Sequence, residues 1–157
     1  MQSMLSRWYV RDSILIVVSA VMVLLYLQVA DSGFPLDDSW IHQAYGRNLA
    51  EYGEWAFIPG EPSAASTAPL FTILLAIGYL LDISYMFWTH FLGYVALASA
   101  SIISSHMTKR VAPEKIWTPL VTGLAIILSW HLLWSAVSGM ETMLFSMFTL
   151  LLMYLAW

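Results

Sequence analysis

The chain has 157 residues, of which 60% are hydrophobic and only 10% charged. Soluble domains run at roughly 45–50% apolar and about 25% charged, so the charges here are too few to cover a water-facing surface and the composition points to a bilayer. Six Lys and Arg against ten Asp and Glu give a formal charge of −4 with no basic run, which argues against nucleic acid as a partner. The absence of cysteine removes disulfide scaffolds, thiolate metal sites and cysteine nucleophiles.

The first apolar run is Ser13–Ala30, preceded by Arg7 and Arg11 and followed by Asp31. At about 1.5 Å per residue it reaches about 27 Å, close to the hydrocarbon thickness. It exceeds the roughly 7–15 residues of a signal-peptide core, and Leu27–Asp31 offers no small-x-small cleavage site. A retained span with a cytoplasmic N-terminus is expected.

Residues 31–67 turn polar, with Gly33, Gly53, Gly60, Pro35, Pro59 and Pro62 among the acids Asp37, Asp38, Glu51, Glu54 and Glu61. Within this external loop the spacing predicts a helix over Ser39–Tyr52, because Ile41, Tyr45, Leu49 and Tyr52 form one apolar stripe. His42, Gln43, Gly46, Arg47 and Glu51 lie opposite, the pattern of a helix flat on a membrane surface. The next run, 68–81, carries Pro69 and Gly78 and reaches only about 21 Å, the length of a re-entrant or interfacial segment. Spans are then expected over 86–105, 117–137 and 143–157, with a polar hinge from His106 to Ile116.

Charge placement selects the topology. With 68–81 dipping in and returning, five of the six basic residues, Lys109, Arg110 and Lys115 included, fall on the cytoplasmic side. Arg47 alone faces the outside with eight of the ten acids, and Glu141 joins Asp37 and Asp38 there. The expectation is an all-α, polytopic transmembrane helical bundle, a single module in the cytoplasmic membrane with its acidic loop extracytoplasmic. Trp8, Tyr9, Trp117 and Trp134 read as interfacial anchors.

The Asp37–Asp38 pair can supply a general base, since partial desolvation and like charge separate two carboxylates in acidity, or bind a divalent cation through oxygen. It can equally cap the helix beginning near Ser39. Glu141 lies at the mouth of an apolar segment, where a carboxylate usually has a partner, yet Ser138-x-x-Glu141 is also a capping-box pattern. His42 is one turn beyond Asp38, so an Asp38–His42 contact able to take a metal is feasible. Arg47 can bind a phosphate or pair with Glu51 at i+4. His90 and His131 read as imidazoles hydrogen-bonded to neighbouring helices, and His106 as solvated.

The stretch from Asp37-Asp38-Ser39-Trp40 through Tyr52-Gly53, followed by Phe57-Ile58-Pro59-Gly60-Glu61 and Ser66-Thr67-Ala68-Pro69-Leu70, resembles the first external loop of GT-C membrane glycosyltransferases. The nearest branch is that of bacterial arabinofuranosyl- and mannosyltransferase-like proteins, with protein O-mannosyltransferases more distant. Ser138-Gly139-Met140-Glu141-Thr142 resembles a segment of that branch's second external loop. The likeness covers residues 10–157, and its specificity lies in the succession of motifs. It implies transfer of a sugar from a polyprenyl phosphate to an acceptor hydroxyl at the outer face. Asp37 would be the base, Asp38 its neighbour, and Glu141 would orient acceptor or base. His42 and Arg47 would touch substrate, and a divalent cation at Asp37 and Asp38 is a candidate cofactor. Members of this family run to several hundred residues, so the chain is expected to be an N-terminal catalytic module, with a second chain as a candidate for completing the bundle. The alternative is a non-catalytic membrane subunit that keeps the fold to bind a partner or lipid.

Overall fold

The computed structural model describes residues 2–30, 33–114 and 117–157, with side chains from residue 8 onward. The expectations for Asp31 and Lys115, and for the side chain of Arg7, lie outside the described residues. Seven helices appear among them: α1 (Gln2–Val29), α2 (Asp37–Tyr52), α3 (Pro69–Leu80), α4 (Tyr85–Val111), α5 (Thr118–Leu128), α6 (Trp130–Val137) and α7 (Thr142–Ala156). A small antiparallel pair, β1 (Ala56–Ile58) and β2 (Glu61–Pro62), follows α2. Two helices are long and apolar enough to cross a membrane, Trp8–Val29 within α1 and the whole of α4.

Two of the expected spans differ in their bounds, each for a local reason. The second long helix does not stop at Ser105 but runs to Val111, since nothing from His106 to Arg110 opposes a helix and Lys109 and Arg110 complement its C-terminal dipole. The break comes where Pro113 removes a backbone donor. The expected span over 117–137 is two helices bent by 57° at Ser129, whose extended backbone ends α5 and begins α6. The Ser129 N–H donates to the carbonyls of Ala125 and Ile126, and its own carbonyl accepts from Leu132 and Leu133 at 3.1 and 3.0 Å. The last run forms a helix of 15 residues, about 22 Å long, short of a full hydrocarbon crossing.

α1, α4, the α5–α6 pair and α7 stand side by side between two common ends. At one end Arg11 and Asp12 of α1 meet His106 of α4, and Arg110 of α4 donates to the Tyr154 carbonyl of α7 at 3.1 Å. At the other, Phe34 packs on Tyr85, and Ser39 of α2 meets Ser138 at the end of α6. The chain therefore leaves α1 and enters α4 at the same end. Val23, Ala96, Leu97, Ala100, Leu133, Ala136, Val137 and Met143 form the core between these columns. Small residues let the backbones approach: a Cβ added at Gly93 would overlap the Ala136 carbonyl, which places α6 directly on α4. Val17, Val21, Leu24, Leu25, Phe145, Leu152 and Leu155 remain exposed on the outer faces.

α3 begins with Pro69 at its first turn, where no backbone donor is needed, and Phe71 and Leu75 bury against Trp88, Leu92 and Leu144. It ends through a bond from the Ile83 N–H to the Gly78 carbonyl with Asp82 at φ +53°, a left-handed turn that Asp tolerates. α2 lies against α3, and Gly46 permits the approach, for a Cβ there would press on Leu75 Cβ at 3.0 Å.

Candidate functional site

The acidic helix and the Glu141 turn come together. Ser39, in the first turn of α2, donates its hydroxyl to the Ser138 carbonyl at 2.8 Å, and one turn later His42 Nε2 lies 3.2 Å from Glu141 Oε2. Gly139 makes this possible: it sits at φ +79° against the Phe34 ring, where a side chain would be both strained and obstructed.

Neither acidic motif makes the cap read from its sequence. α2 starts at Asp37 rather than Ser39, Leu36 occupies the cap position, and no side chain bonds the first turn. Asp37 and Asp38 are exposed there, favoured by the helix dipole alone. The capping box at Ser138–Glu141 is likewise not formed. Glu141 itself precedes α7 without a side-chain cap, while Ser138 Oγ donates to the Ser135 carbonyl and accepts from the Met140 N–H. The Glu141 carboxylate turns to α2 instead.

His42 is 2% exposed. The expected contact with Asp38 is not made; the polar neighbours of the ring are Ser66 Oγ, 3.1 Å from Nδ1, and Glu141. Ser66 Oγ in turn lies 2.7 Å from Thr72 Oγ1, so α2, the loop before α3, α3 itself and the turn before α7 share one polar chain. His42 Nε2 and Glu141 Oε2 are both shut off from solvent and have no other protein partner. Their 3.2 Å separation is within hydrogen-bond reach, although no hydrogen bond is formed between them. The separation is the more telling quantity, since two buried polar atoms facing each other need only a small side-chain rotation to pair.

The polar face of α2 is split: Arg47 and Glu51 are exposed as expected, but His42, Gln43 and Gly46 are buried. Ser39, His42, Gln43, Gly46 and Asn48 turn inward with Tyr45, whereas Tyr52 of the apolar stripe is 58% exposed. Gln43 donates to Thr89 Oγ1 at 2.7 Å and accepts from the Tyr79 hydroxyl at 3.0 Å. Asn48 donates to the carbonyls of Ala56 and Phe57, which ties the strand pair to the helix. Arg47 is exposed and reaches Asn48 Oδ1 at 3.4 Å rather than pairing with Glu51.

Beside the Ser138 turn opens a cavity of about 660 Å³ lined by Tyr26, Leu27, Phe34, His90, Trp134 and Ser138, among others. Phe34 and Trp40 pack in a tilted pair, 5.2 Å between centroids, and Trp40 lies 6.1 Å from Tyr85, giving this end an aromatic wall. His90 of α4 lines this cavity with its ring 5.7 Å from that of Phe34. His131 instead is exposed beside Trp130. His106, expected in solvent, accepts Arg11 and Asp12 as neighbours at 3.0 and 2.9 Å beneath Trp8, because α4 carries it past the hinge to meet α1.

No cluster of three or more His, Asp or Glu side chains able to hold a metal occurs among the described residues. Sequence reading missed Ser39, Ser66, Gln43 and Thr89; the one available signal was the run of small and polar residues along a single face of α2. No family model, curated protein or solved structure matches the chain.

Proposed function

We propose that this chain is the catalytic module of a membrane glycosyltransferase that moves a sugar from a polyprenyl phosphate to an acceptor hydroxyl at the extracytoplasmic face. The observation that carries the reading is the junction of the acidic helix with the Glu141 turn, through Ser39–Ser138 and His42–Glu141. It gives the sequence resemblance a single place for chemistry. In this reading the module is a multi-span bundle: α1, α4, α5–α6 and α7 cross or enter the bilayer, and α3 dips and returns. The meeting of Arg11 with His106 and of Arg110 with Tyr154 supports a common cytoplasmic end.

The reaction is a displacement at the anomeric carbon. Asp37 takes the proton of the acceptor hydroxyl, the acceptor oxygen forms the new glycosidic bond, and the bond to the phosphate oxygen breaks with inversion. The polyprenyl phosphate leaves as the anion. Both Asp37 and Asp38 are exposed and so open to substrate. They are also the side chains that would hold a divalent cation, the rest of its shell coming from phosphate and water, and the cation would offset charge on the leaving group. Arg47, exposed and free of Glu51, can meet the same phosphate. The aromatic wall of Phe34, Trp40 and Tyr85 suits the apolar faces of a sugar or the first prenyl units.

The test is reconstitution in liposomes of the protein from its natural reading frame, with a panel of polyprenyl-phosphate sugars. Transfer that falls about 10²–10⁴-fold in Asp37→Asn supports the assignment of the base. Transfer retained in Asp37→Asn removes that assignment, and no transfer from any donor favours the binding-subunit alternative.

A further inference from the structure

Pairing with a carboxylate would order the hydrogen bonds along one buried chain of side chains. Thr72, Ser66 and His42 are each at least nine-tenths buried, and the chain runs Thr72 Oγ1, Ser66 Oγ, His42 Nδ1 and Nε2, then Glu141 Oε2. An ionised carboxylate only accepts, so Nε2 must carry the proton that faces it. In the neutral ring Nδ1 is then an acceptor, which obliges the Ser66 hydroxyl to donate to it, and Ser66 in turn accepts from Thr72. With Nε2 turned onto Oε2, every donor along this chain would face Glu141 and successive bonds would polarise one another. The Phe71 ring stands edge-on to His42 at 5.9 Å and closes that side to water. The Glu141 side chain is 31% exposed although Oε2 is not, so the group is anchored by one oxygen and otherwise reaches the open side of the turn.

We propose that His42 is a positioning residue for Glu141: the chain Thr72–Ser66–His42 presents an Nε2 proton to Oε2 and thereby fixes the carboxylate beside the first turn of α2. His42 then touches no substrate. It deepens the glycosyltransferase reading by giving Glu141 a defined place in that site, but its first test needs no transfer assay, so the two can fail separately.

The test is nitrogen-15 NMR of histidine-labelled protein in lipid nanodiscs, assigned by His42→Gln. Expected in the wild type is an exchange-protected Nε2–H resonance at low field for His42. Glu141→Gln, a neutral acceptor of the same shape, keeps that proton but moves it upfield, since charge-assisted bonds are roughly twice as strong as neutral ones. Glu141→Leu abolishes its protection, and Ser66→Ala moves Nδ1 to the position of an acceptor without a donor. A His42 Nε2–H signal unchanged in both Glu141→Gln and Glu141→Leu overturns the proposal. Rescue gives a second readout where transfer can be followed. The His42→Gln amide can reach the place of Nε2 and should retain most of the activity, whereas His42→Leu should lower kcat at least tenfold with KM little changed. Equal losses in His42→Gln and His42→Leu also overturn it.

Discussion

Gly93→Ala is the sharpest test of how the site is assembled. A methyl group at this position overlaps the carbonyl of Ala136, a backbone group that no rotamer change can move aside. Non-bonded atoms settle near about 3.5 Å apart, so α6 must retreat from α4 by on the order of an ångström or more. Overpacking of this kind costs about 1–3 kcal/mol. Ala136 is two residues from Ser138, whose carbonyl accepts from Ser39, and the displacement puts that bond at risk for about 0.5–1.5 kcal/mol more. The combined loss, about 1.5–4.5 kcal/mol, is roughly ten- to thousandfold in the folding equilibrium. Gly123→Ala is the matched comparison, since its new Cβ meets the Leu15 methyl groups at 2.7 Å, the movable end of a side chain. Thermal or denaturant unfolding in nanodiscs should rank Gly93→Ala well below Gly123→Ala, and cross-linking between cysteines at positions 39 and 138 should weaken only in the former. Equal stabilities, or an intact 39–138 cross-link in Gly93→Ala, would refute the reasoning that backbone contact between α4 and α6 sets the position of the turn.

Asn48→Ala removes both side-chain bonds to the Ala56 and Phe57 carbonyls, at about 1–3 kcal/mol, and limited proteolysis should then cut within 56–62 faster than in the wild type. Gln43→Leu leaves Thr89 Oγ1 without its donor and the Tyr79 hydroxyl without its acceptor and should lower the unfolding midpoint by a similar free energy, while Gln43→Glu, which buries a charge and sets a carboxylate against Thr89 Oγ1, whose proton goes to the Tyr85 carbonyl, should cost at least as much. His106→Ala takes away the neighbour that links Arg11 and Asp12 to α4, and since the group is partly exposed a loss of only about 1 kcal/mol, with no effect on sugar transfer, is expected in the same unfolding assay. Single cysteines at Lys109 and at Glu54 should react with an impermeant maleimide from opposite sides of the membrane; labelling of both from one side would reverse the topology proposed above.

What the sequence disclosed follows from what each signal encodes. The uncharged run after Asp12 and the apolar stretch after Met86 are single-residue properties summed over a window, and α1 and α4 carry them. The break at Ser129 has no such mark, because neither Pro nor Gly stands there; it arises where α6 must lie on Gly93, a contact between residues 93 and 136. The face of α2 was misread for a related reason. Periodicity separates apolar from polar positions and assigns only the apolar side to the interior, whereas here the interior takes Tyr45 of the apolar stripe and also residues with polar partners far along the chain: Ser66 for His42, Thr89 for Gln43 and Ser138 for Ser39. Those pairings span 24, 46 and 99 residues, beyond the reach of any local pattern.

The same pairings explain why the junction of α2 with the Glu141 turn is polar. Apolar side chains there would hold the two elements together at any small sliding displacement, since burial has no direction. A hydrogen bond from Ser39 to the Ser138 carbonyl accepts only a narrow range of positions, and His42 Nε2 faces one Glu141 carboxylate oxygen at 3.2 Å, so the turn that carries Glu141 is held directionally against α2. An apolar substitution such as Ser39→Ala removes no large apolar contact and should cost the fold only the one bond, about 0.5–1.5 kcal/mol. It should nonetheless free the turn by one of its two pins, so the loss in any chemistry that needs both acidic elements should exceed the loss in stability. A Ser39→Ala protein whose stability and activity decline in step would show that the junction serves folding alone.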